Sequence, residues 1–327
     1  MILLTDNICN QLKFVYLATS LPKQHIMKKR NIALVLSSGG ARGIAHIGAI
    51  NELEKAGYKI TSIAGTSMGA LVGGIYAAGH LDALKTWMCS LDKKAVFDLL
   101  DFTLSTSGVI KGERVIETLK KMIADRNIES LPVPFCAIAT DIINGREIVF
   151  RKGSLFDAIK ASSSIPTLVT PFTLNGLMLV DGGVMNPIPM NHVAHTRRDL
   201  MVVVNVNANI PRDIHKDNID EKVNEKSGIE NGKEIFSKYM SYFNSLRKKN
   251  GKPDPDEKPG HLGYFELMSK SLNLMISQIS AITIELYKPD ILINVSKDNC
   301  GIYDFHRSEE IIEMGASAAR KVINSDW

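Results

Sequence analysis

A serine flanked by glycines is the first feature of this chain that could do chemistry, because residues 65–69 read Gly-Thr-Ser-Met-Gly with Ser67 at the centre. The apolar, β-branched run at 60–64 predicts a buried strand before it, and the run at 70–78 predicts a helix after it. Gly65 and Gly69 remove side chains that would collide in so sharp a turn. This context favours a nucleophile elbow over a turn that serves close packing alone.

A second feature is the glycine loop, residues 37–43, which directly follows a predicted strand at 31–36. The loop lacks the spacing of the dinucleotide-binding and Walker motifs. Its glycines would instead let backbone N–H groups converge near Ser67, as stabilisation of an oxyanion requires. Arg42 in this loop is compatible with orienting the loop, with attracting an anionic substrate and with a solvated surface position.

A third feature is Asp181-Gly182-Gly183, which follows a predicted strand at 177–180. Open α/β sheets place their chemistry at such strand ends, although Asp-Gly is also a common turn.

A histidine base for Ser67 is not evident, since none of the eight histidines stands in a strong loop context late in the chain. We expect His46 to support the loop or the core, and His192 and His195 to lie on the surface of a helical stretch.

The order of the predicted elements indicates an α/β fold. Strand, loop, helix, strand, turn and helix follow one another from residue 31 to residue 78, as in a parallel sheet covered by helices. We therefore expect three layers, α/β/α, around a mainly parallel central sheet, with an antiparallel hairpin at Asn144-Gly145. A long helix is predicted at 262–287, a last strand at 290–295 and a closing helix at 305–323.

The domain organisation is predicted to be simple, with a single α/β domain at 27–327. Met27 leads straight into the first strand, so residues 1–26 are expected to be a disordered extension or the product of an early start codon. Residues 207–260 are rich in Lys, Asp, Glu and Asn, which indicates a polar insertion or lid.

Composition excludes several classes of protein. The 327 residues are 45% hydrophobic and 23% charged with a formal net charge of +4, so a nucleic-acid partner is not expected. The four cysteines are far apart and have no metal-ligand spacing, and we expect neither a metal nor a cofactor. Without an apolar run of transmembrane length, we expect a cytoplasmic protein, peripheral at a membrane at most. A homo-oligomer stays open, because the helix at 262–287 suits an interface as well as a core.

Four blocks, taken in order, resemble the patatin-like phospholipase family. They are Ser38-Gly39-Gly40-Ala41-Arg42-Gly43, then Gly65-Thr66-Ser67-Met68-Gly69, then the serine block Ser162-Ser163-Ser164-Ile165-Pro166, then Asp181-Gly182-Gly183. The resemblance implies a Ser–Asp dyad in place of a triad, with Ser67 as the nucleophile and Asp181 as its partner. It also implies two supporting sets: oxyanion and substrate contacts from Gly39, Gly40, Ala41, Arg42, Gly43 and Met68, and supporting turns at Gly65, Gly69, Gly182 and Gly183. Ser38 stands where the family commonly has a third glycine.

The activity that this resemblance implies is hydrolysis of lipid esters by a serine acyl hydrolase of phospholipase A or lysophospholipase type. An acyl-enzyme would form on Ser67, and lipid substrates would bring transient contact with membrane surfaces. Two alternatives stay open. One is an acyltransferase that passes the same acyl group to a thiol or an alcohol, and the other is a lipid-binding or regulatory module without turnover.

Overall fold

The part of the chain that the structure describes, a computed structural model, comprises residues 30–101, 110–212 and 264–325. The predicted extension at 1–26 and residues 213–260 of the predicted insertion lie outside this part. Its strands are β1 Arg30–Leu36, β2 Tyr58–Thr66, β3 Phe135–Asp141, β4 Arg146–Phe150, β5 Phe172–Leu174, β6 Leu177–Asp181, β7 Leu200–Ala208 and β8 Ile291–Ser296. Its α-helices are α1 Ala45–Lys55, α2 Met68–Ala77, α3 Leu81–Cys89, α4 Lys93–Leu99, α5 Glu113–Met122, α6 Leu155–Ser162, α7 Tyr264–Tyr287 and α8 Ser308–Asn324.

These strands form one mixed sheet in the order β5-β6-β3-β2-β1-β7-β8, with β4 also paired to β3. The pairs from β3 through β2, β1 and β7 to β8 are parallel, whereas β4, β5 and β6 run antiparallel to their neighbours. The β3–β4 pair is the hairpin predicted at Asn144-Gly145. Because parallel strands end at the same edge of a sheet, the loops after β1, β2, β7 and β8 meet there.

Both faces of the sheet are buried, which explains why its central strands are almost continuously apolar. Ile32, Leu34 and Leu36 of β1 pack on one face with residues of α1, α2 and α8. Ala33 and Val35 point to the other face, where an irregular segment at 188–193 and Ile284 of α7 cover the sheet. The result is the predicted three-layer α/β/α arrangement, with an irregular segment in part of one outer layer.

Helices α1 and α8 approach each other closely at two glycines. A methyl group at Gly48 would overlap with the backbone carbonyl of Ile312, and one at Gly315 would overlap with the carbonyl of Ala45. Two residues without side chains therefore let the last helix lie directly on the first one. This contact brings the end of the described chain back onto its first βα unit.

One strand boundary and the backbone at two histidines differ from the sequence predictions. β7 continues through Ala208, so Asn207 is a buried strand residue rather than the start of an insertion. His192 and His195 lie in turns and irregular backbone rather than on a helix, and His192 is half-buried against Glu147. No helix in the described ranges is both long enough and apolar enough to span a bilayer.

Candidate active site

The turn between β2 and α2 holds Ser67 in an uncommon backbone conformation. Ser67 has φ 57° and ψ −123°, is 3% exposed, and directly precedes the first turn of α2. Close approach explains the flanking glycines, because a methyl group at Gly65 would overlap with the carbonyl of Gly69, and one at Gly69 with the carbonyl of Leu36. The geometry is that of a nucleophile elbow, in which strain is localised at the serine itself.

Asp181 lies at the end of β6 and faces Ser67. Its carboxylate accepts a hydrogen bond from the backbone N–H of Gly183 at 2.7 Å, and Ser67 lines the same cavity. Asp181 is 5% exposed, and burial raises its pKa to about 6, while the Ser67 hydroxyl and the Gly183 amide oppose the shift. A carboxylate with this pKa is ionised near neutral pH and is a better proton acceptor than an exposed aspartate.

The glycine loop is fixed from both sides at its backbone. The amide of Ser38 donates to the carbonyl of Pro187 at 2.9 Å, and the amide of Ala41 donates to that of Ile302 at 3.0 Å. The side-chain amide of Asn207 donates to the carbonyl of Ser38 at 2.5 Å. Gly40, with φ 57°, lies so close to Ile302 that a methyl group would stand 2.7 Å from its carbonyl oxygen.

Two basic side chains belong to the same loop or its helix, and both support its backbone. Arg42 is half-buried and donates from Nε to the carbonyl of Gly39 at 3.3 Å. His46 is fully buried and donates from Nε2 to the carbonyl of Ser37 at 2.8 Å. Burial lowers the pKa of His46 to about 4, so this imidazole is neutral at physiological pH and supports the loop, as predicted.

Three further glycines of the predicted site are explained by close approach. A methyl group at Gly43 would stand 2.5 Å from Cβ of Met68, which places the glycine loop directly against the first residue of α2. A methyl group at Gly182 would overlap with the carbonyl of Ile138. A methyl group at Gly183 would stand 3.0 Å from Oδ1 of Asp181, so glycine lets this amide reach the carboxylate.

A cavity of about 70 Å³ lies where these elements meet. Ser67, Asp181, Gly39, Gly40 and Arg42 line it, whereas Ala41, Gly43 and Met68 are not among its described lining residues. The remaining described lining comes from Ser38, Ile165, Pro166, Thr167, Leu168, Val184, Asn207, Leu272, Asn273, Ile276, Ile302 and Tyr303. None of these is a histidine; His25, His215 and His261 lie outside the described ranges.

Comparison with known proteins decides the family. A family model described as patatin-like phospholipase matches residues 34–194. An uncharacterized NTE family protein of Mycobacterium bovis is 32% identical over 331 residues, an alignment that covers 90% of this chain and 91% of that protein. This chain belongs to the patatin-like phospholipase family. Membership places it among lipid hydrolases at the level of the family.

Two further relatives match about half of this chain. A patatin-like phospholipase domain-containing protein of Caenorhabditis elegans is 34% identical over 50% of this chain and 13% of its own length. Lysophospholipase NTE1 of Candida albicans is 31% identical over 51% of this chain and 12% of its own. The structure of VipD from Legionella pneumophila aligns with a TM-score of 0.42 at 14% identity and covers 91% of this chain and 67% of that one.

The patatin-like blocks do not include every residue that builds the cavity. Asn207 at the end of β7, Ile302 and Tyr303 after β8, and three residues of α7 were not singled out from the sequence. A polar residue at the carboxyl end of an apolar strand was a usable signal for Asn207. The others come from the fold, because nothing local at 272–276 or 302–303 distinguishes a cavity wall from a surface. No group of three or more His, Cys, Asp or Glu in the described ranges is placed to hold a metal ion.

Proposed function

We propose that this protein is a serine acyl hydrolase that cleaves lipid esters with Ser67 and Asp181 as a catalytic dyad. The observation that carries the proposal is that the strained, buried Ser67 and the carboxylate of Asp181 line one cavity, where burial raises the pKa of that carboxyl to about 6. A base of this kind can accept the hydroxyl proton at neutral pH without a histidine.

The reaction has two balanced halves. Asp181 takes the proton of Ser67 while Oγ bonds to the ester carbonyl carbon, and the carbonyl oxygen becomes an oxyanion. When the tetrahedral intermediate collapses, the bond to the alcohol breaks, and the protonated Asp181 gives its proton to the leaving oxygen. A water molecule then attacks the acyl-enzyme with Asp181 as the base again, which releases the fatty acid and restores the Ser67 hydroxyl.

The oxyanion is proposed to bind at backbone amides of the glycine loop and of Met68. Gly39 and Gly40 line the cavity, whereas the amides on either side of them already donate to Pro187 and Ile302. The amide of Met68 begins α2 directly after the nucleophile, where the helix dipole favours negative charge. Ala41, Arg42 and Gly43 serve this site by shaping the loop.

The size and lining of the cavity support a substrate whose reacting ester enters while most of the molecule stays outside. Ligand pockets usually measure roughly 300–1,000 Å³, whereas this cavity measures about 70 Å³. Its apolar wall of Leu272, Ile276 and Leu168 suits the first carbons of an acyl chain. A lysophospholipid or another lipid ester, met transiently at a membrane surface by a cytoplasmic enzyme, fits these features.

The direct test is the intact mass of the protein after reaction with a fluorophosphonate. We expect a single adduct on the wild type, none on Ser67→Ala, and a labelling rate reduced about 100-fold or more on Asp181→Asn, because the base is lost. Hydrolysis of a p-nitrophenyl ester and of lysophospholipids should follow the same order. Added thiols or alcohols would reveal an acyltransferase by transfer products.

Two results would contradict the proposal. Full esterase activity in Ser67→Ala would exclude this nucleophile. A folded wild-type protein without any adduct would favour a lipid-binding or regulatory module. Circular dichroism of each variant shows that the fold has survived, so that a lost adduct reports on chemistry.

A further inference from the structure

The hydroxyl of Ser162, the last residue of α6, bridges two backbone groups at the nucleophile elbow. Its Oγ accepts a hydrogen bond from the backbone N–H of Ser67 at 2.9 Å and donates one to the carbonyl of Ile138 at 2.5 Å. Ser162 is fully buried, so both bonds are shielded from water. A buried hydroxyl that both accepts and donates fixes the separation and the orientation of its two partners.

The position of this bridge in the sheet explains its use. The parallel pairing of β2 with β3 ends at Thr66, opposite Ile138. Ser67 is the next residue of the chain, and its φ of 57° turns its backbone out of the strand. The hydroxyl of Ser162 thus stands in for one more ladder hydrogen bond and satisfies an amide and a carbonyl that would otherwise be buried without partners.

The same short segment also holds the other member of the dyad. The carbonyl of Ser164 accepts a hydrogen bond from the backbone N–H of Asp181 at 2.9 Å. Gly182 packs directly on the Ile138 carbonyl to which Ser162 donates. Ser162 and Ser164 of the serine block therefore accept hydrogen bonds from the backbone amides of Ser67 and Asp181. These two bonds fix the positions of the two amides relative to each other.

We propose that Ser162 is a positioning residue that keeps Ser67 in its strained conformation and its Oγ within reach of Asp181. The proposal rests on the proposed function, since it assigns a task in that reaction. Ser162 does not line the cavity and touches no substrate; it acts through the main chain of the nucleophile. The serine block thereby has the role of fixing the ends of β2 and β6, which carry Ser67 and Asp181.

The test compares Ser162→Ala with Ser163→Ala. The hydroxyl of Ser163 is also buried but has no hydrogen-bond partner among the described residues, which makes it a matched control. We expect Ser162→Ala to lower kcat and the rate of fluorophosphonate labelling by about 10- to 100-fold, the usual effect of a misplaced nucleophile, with KM little changed. Ser163→Ala should keep both rates within about twofold of the wild type, as expected where no interaction is removed.

A second pair of variants separates positioning from stability. Ser162→Thr and Ser162→Val have nearly the same shape, but only threonine keeps the hydroxyl, so it should retain the larger kcat at temperatures well below both melting points. Equal kcat in the two variants, or equal kcat in Ser162→Ala and Ser163→Ala, would overturn the proposal. A wild type that neither reacts with the probe nor hydrolyses esters would instead overturn the proposed function, and this inference with it.

Discussion

At Ser67 and Asp181 the chain tolerates two unfavourable local states in one cavity, a positive φ at a serine and a carboxylate without bulk water. Each is held by neighbours, through Ser162 for the serine amide and through Gly183 for the carboxylate. Such states persist only where the surrounding structure determines them, and they are concentrated at functional sites.

The ionisation of Asp181 should affect stability in a direction opposite to that of most carboxylates. Its pKa is about 6 in the folded protein, against about 3.9 when unfolded, so the folded state binds more protons between these values. The free energy of unfolding should therefore fall as pH rises through this window, with about 1–2 kcal/mol of the loss between pH 5 and pH 8. Urea unfolding at pH 5 and at pH 8 measures this loss in the free energy of unfolding.

Asp181→Asn provides the comparison, because an amide does not titrate. The variant should lack this component of the pH dependence and should exceed the wild type in stability at pH 8. Identical pH profiles for the two proteins would contradict a raised pKa at position 181. The catalytic counterpart is a loss of wild-type kcat as pH falls through about 6, since Asp181 then holds a proton.

How far residues can be predicted from sequence depends on how local their contacts are. Ser67 and the glycines around it were identified because the spacing itself describes a turn. Asp181 was identified by its place after a strand and by resemblance. The contacts of Ser162 and Asn207 were not predicted, because their partners are 95 and 169 residues away in the chain. Such contacts follow from the order of strands in the sheet, which no local pattern encodes.

Among the elements, α7 is the one whose role could not be assigned from the sequence. A helix at 262–287 was predicted, but its pattern did not separate core from interface. In the structure Leu272 and Ile276 of α7 line the cavity, and α7 packs against the turn Gly182–Val184 that follows Asp181. Away from the cavity, Leu274 on the opposite side of α7 and Leu286 near its carboxyl end are 72% and 70% exposed. Apolar residues on both sides explain why periodicity alone could not orient the helix.

We expect α7 to influence which acyl chains are accepted. Ile276→Ala removes part of the cavity wall and should raise kcat/KM for long-chain p-nitrophenyl esters relative to the acetate by about tenfold, the scale of a few methylene contacts in an apolar pocket. Leu286→Ala removes a comparable, exposed side chain near the carboxyl end of the same helix and is the control.

The ratio of the two esters is the measurement that decides this prediction. A ratio that stays at the wild-type value in Ile276→Ala, or that shifts equally in Leu286→Ala, would show that α7 does not contact the acyl chain. Deleting residues 213–260 tests whether the predicted insertion or lid affects the same ratio of esters. Unchanged kinetics would count against a lid.

The sheet order accounts for how the whole molecule assembles its site. β1 is central, with β2 on one side and β7 on the other, so the glycine loop after β1 lies between the elbow after β2 and the carboxyl end of β7. The predicted elements were enough to identify an α/β fold, and the mainly parallel sheet is confirmed. The β3–β4 hairpin was predicted from its local turn, whereas the pairing of β6 with β3 and the irregular cover at 188–193 depend on long-range packing.

The contact between α1 and α8 should be a major source of stability for the whole fold. Gly315→Ala places a methyl group against the carbonyl of Ala45, and overpacking of this kind typically costs about 1–3 kcal/mol. Thermal unfolding should show the loss, whereas Asn324→Ala at the exposed end of the same helix should be nearly neutral. An unchanged melting temperature in Gly315→Ala would mean that the two helices separate readily.

The bond from Ala41 to the carbonyl of Ile302 has a consequence for synthesis on the ribosome. The strand, turn and helix that carry Ser67 have been synthesised once residue 77 has been made, but the glycine loop beside them lacks its partner, which lies 261 residues beyond Ala41 in the chain. A nascent polypeptide therefore carries Ser67 long before it contains the residue that supports the neighbouring loop. An abortive product that ends before residue 302 would lack this support for its glycine loop.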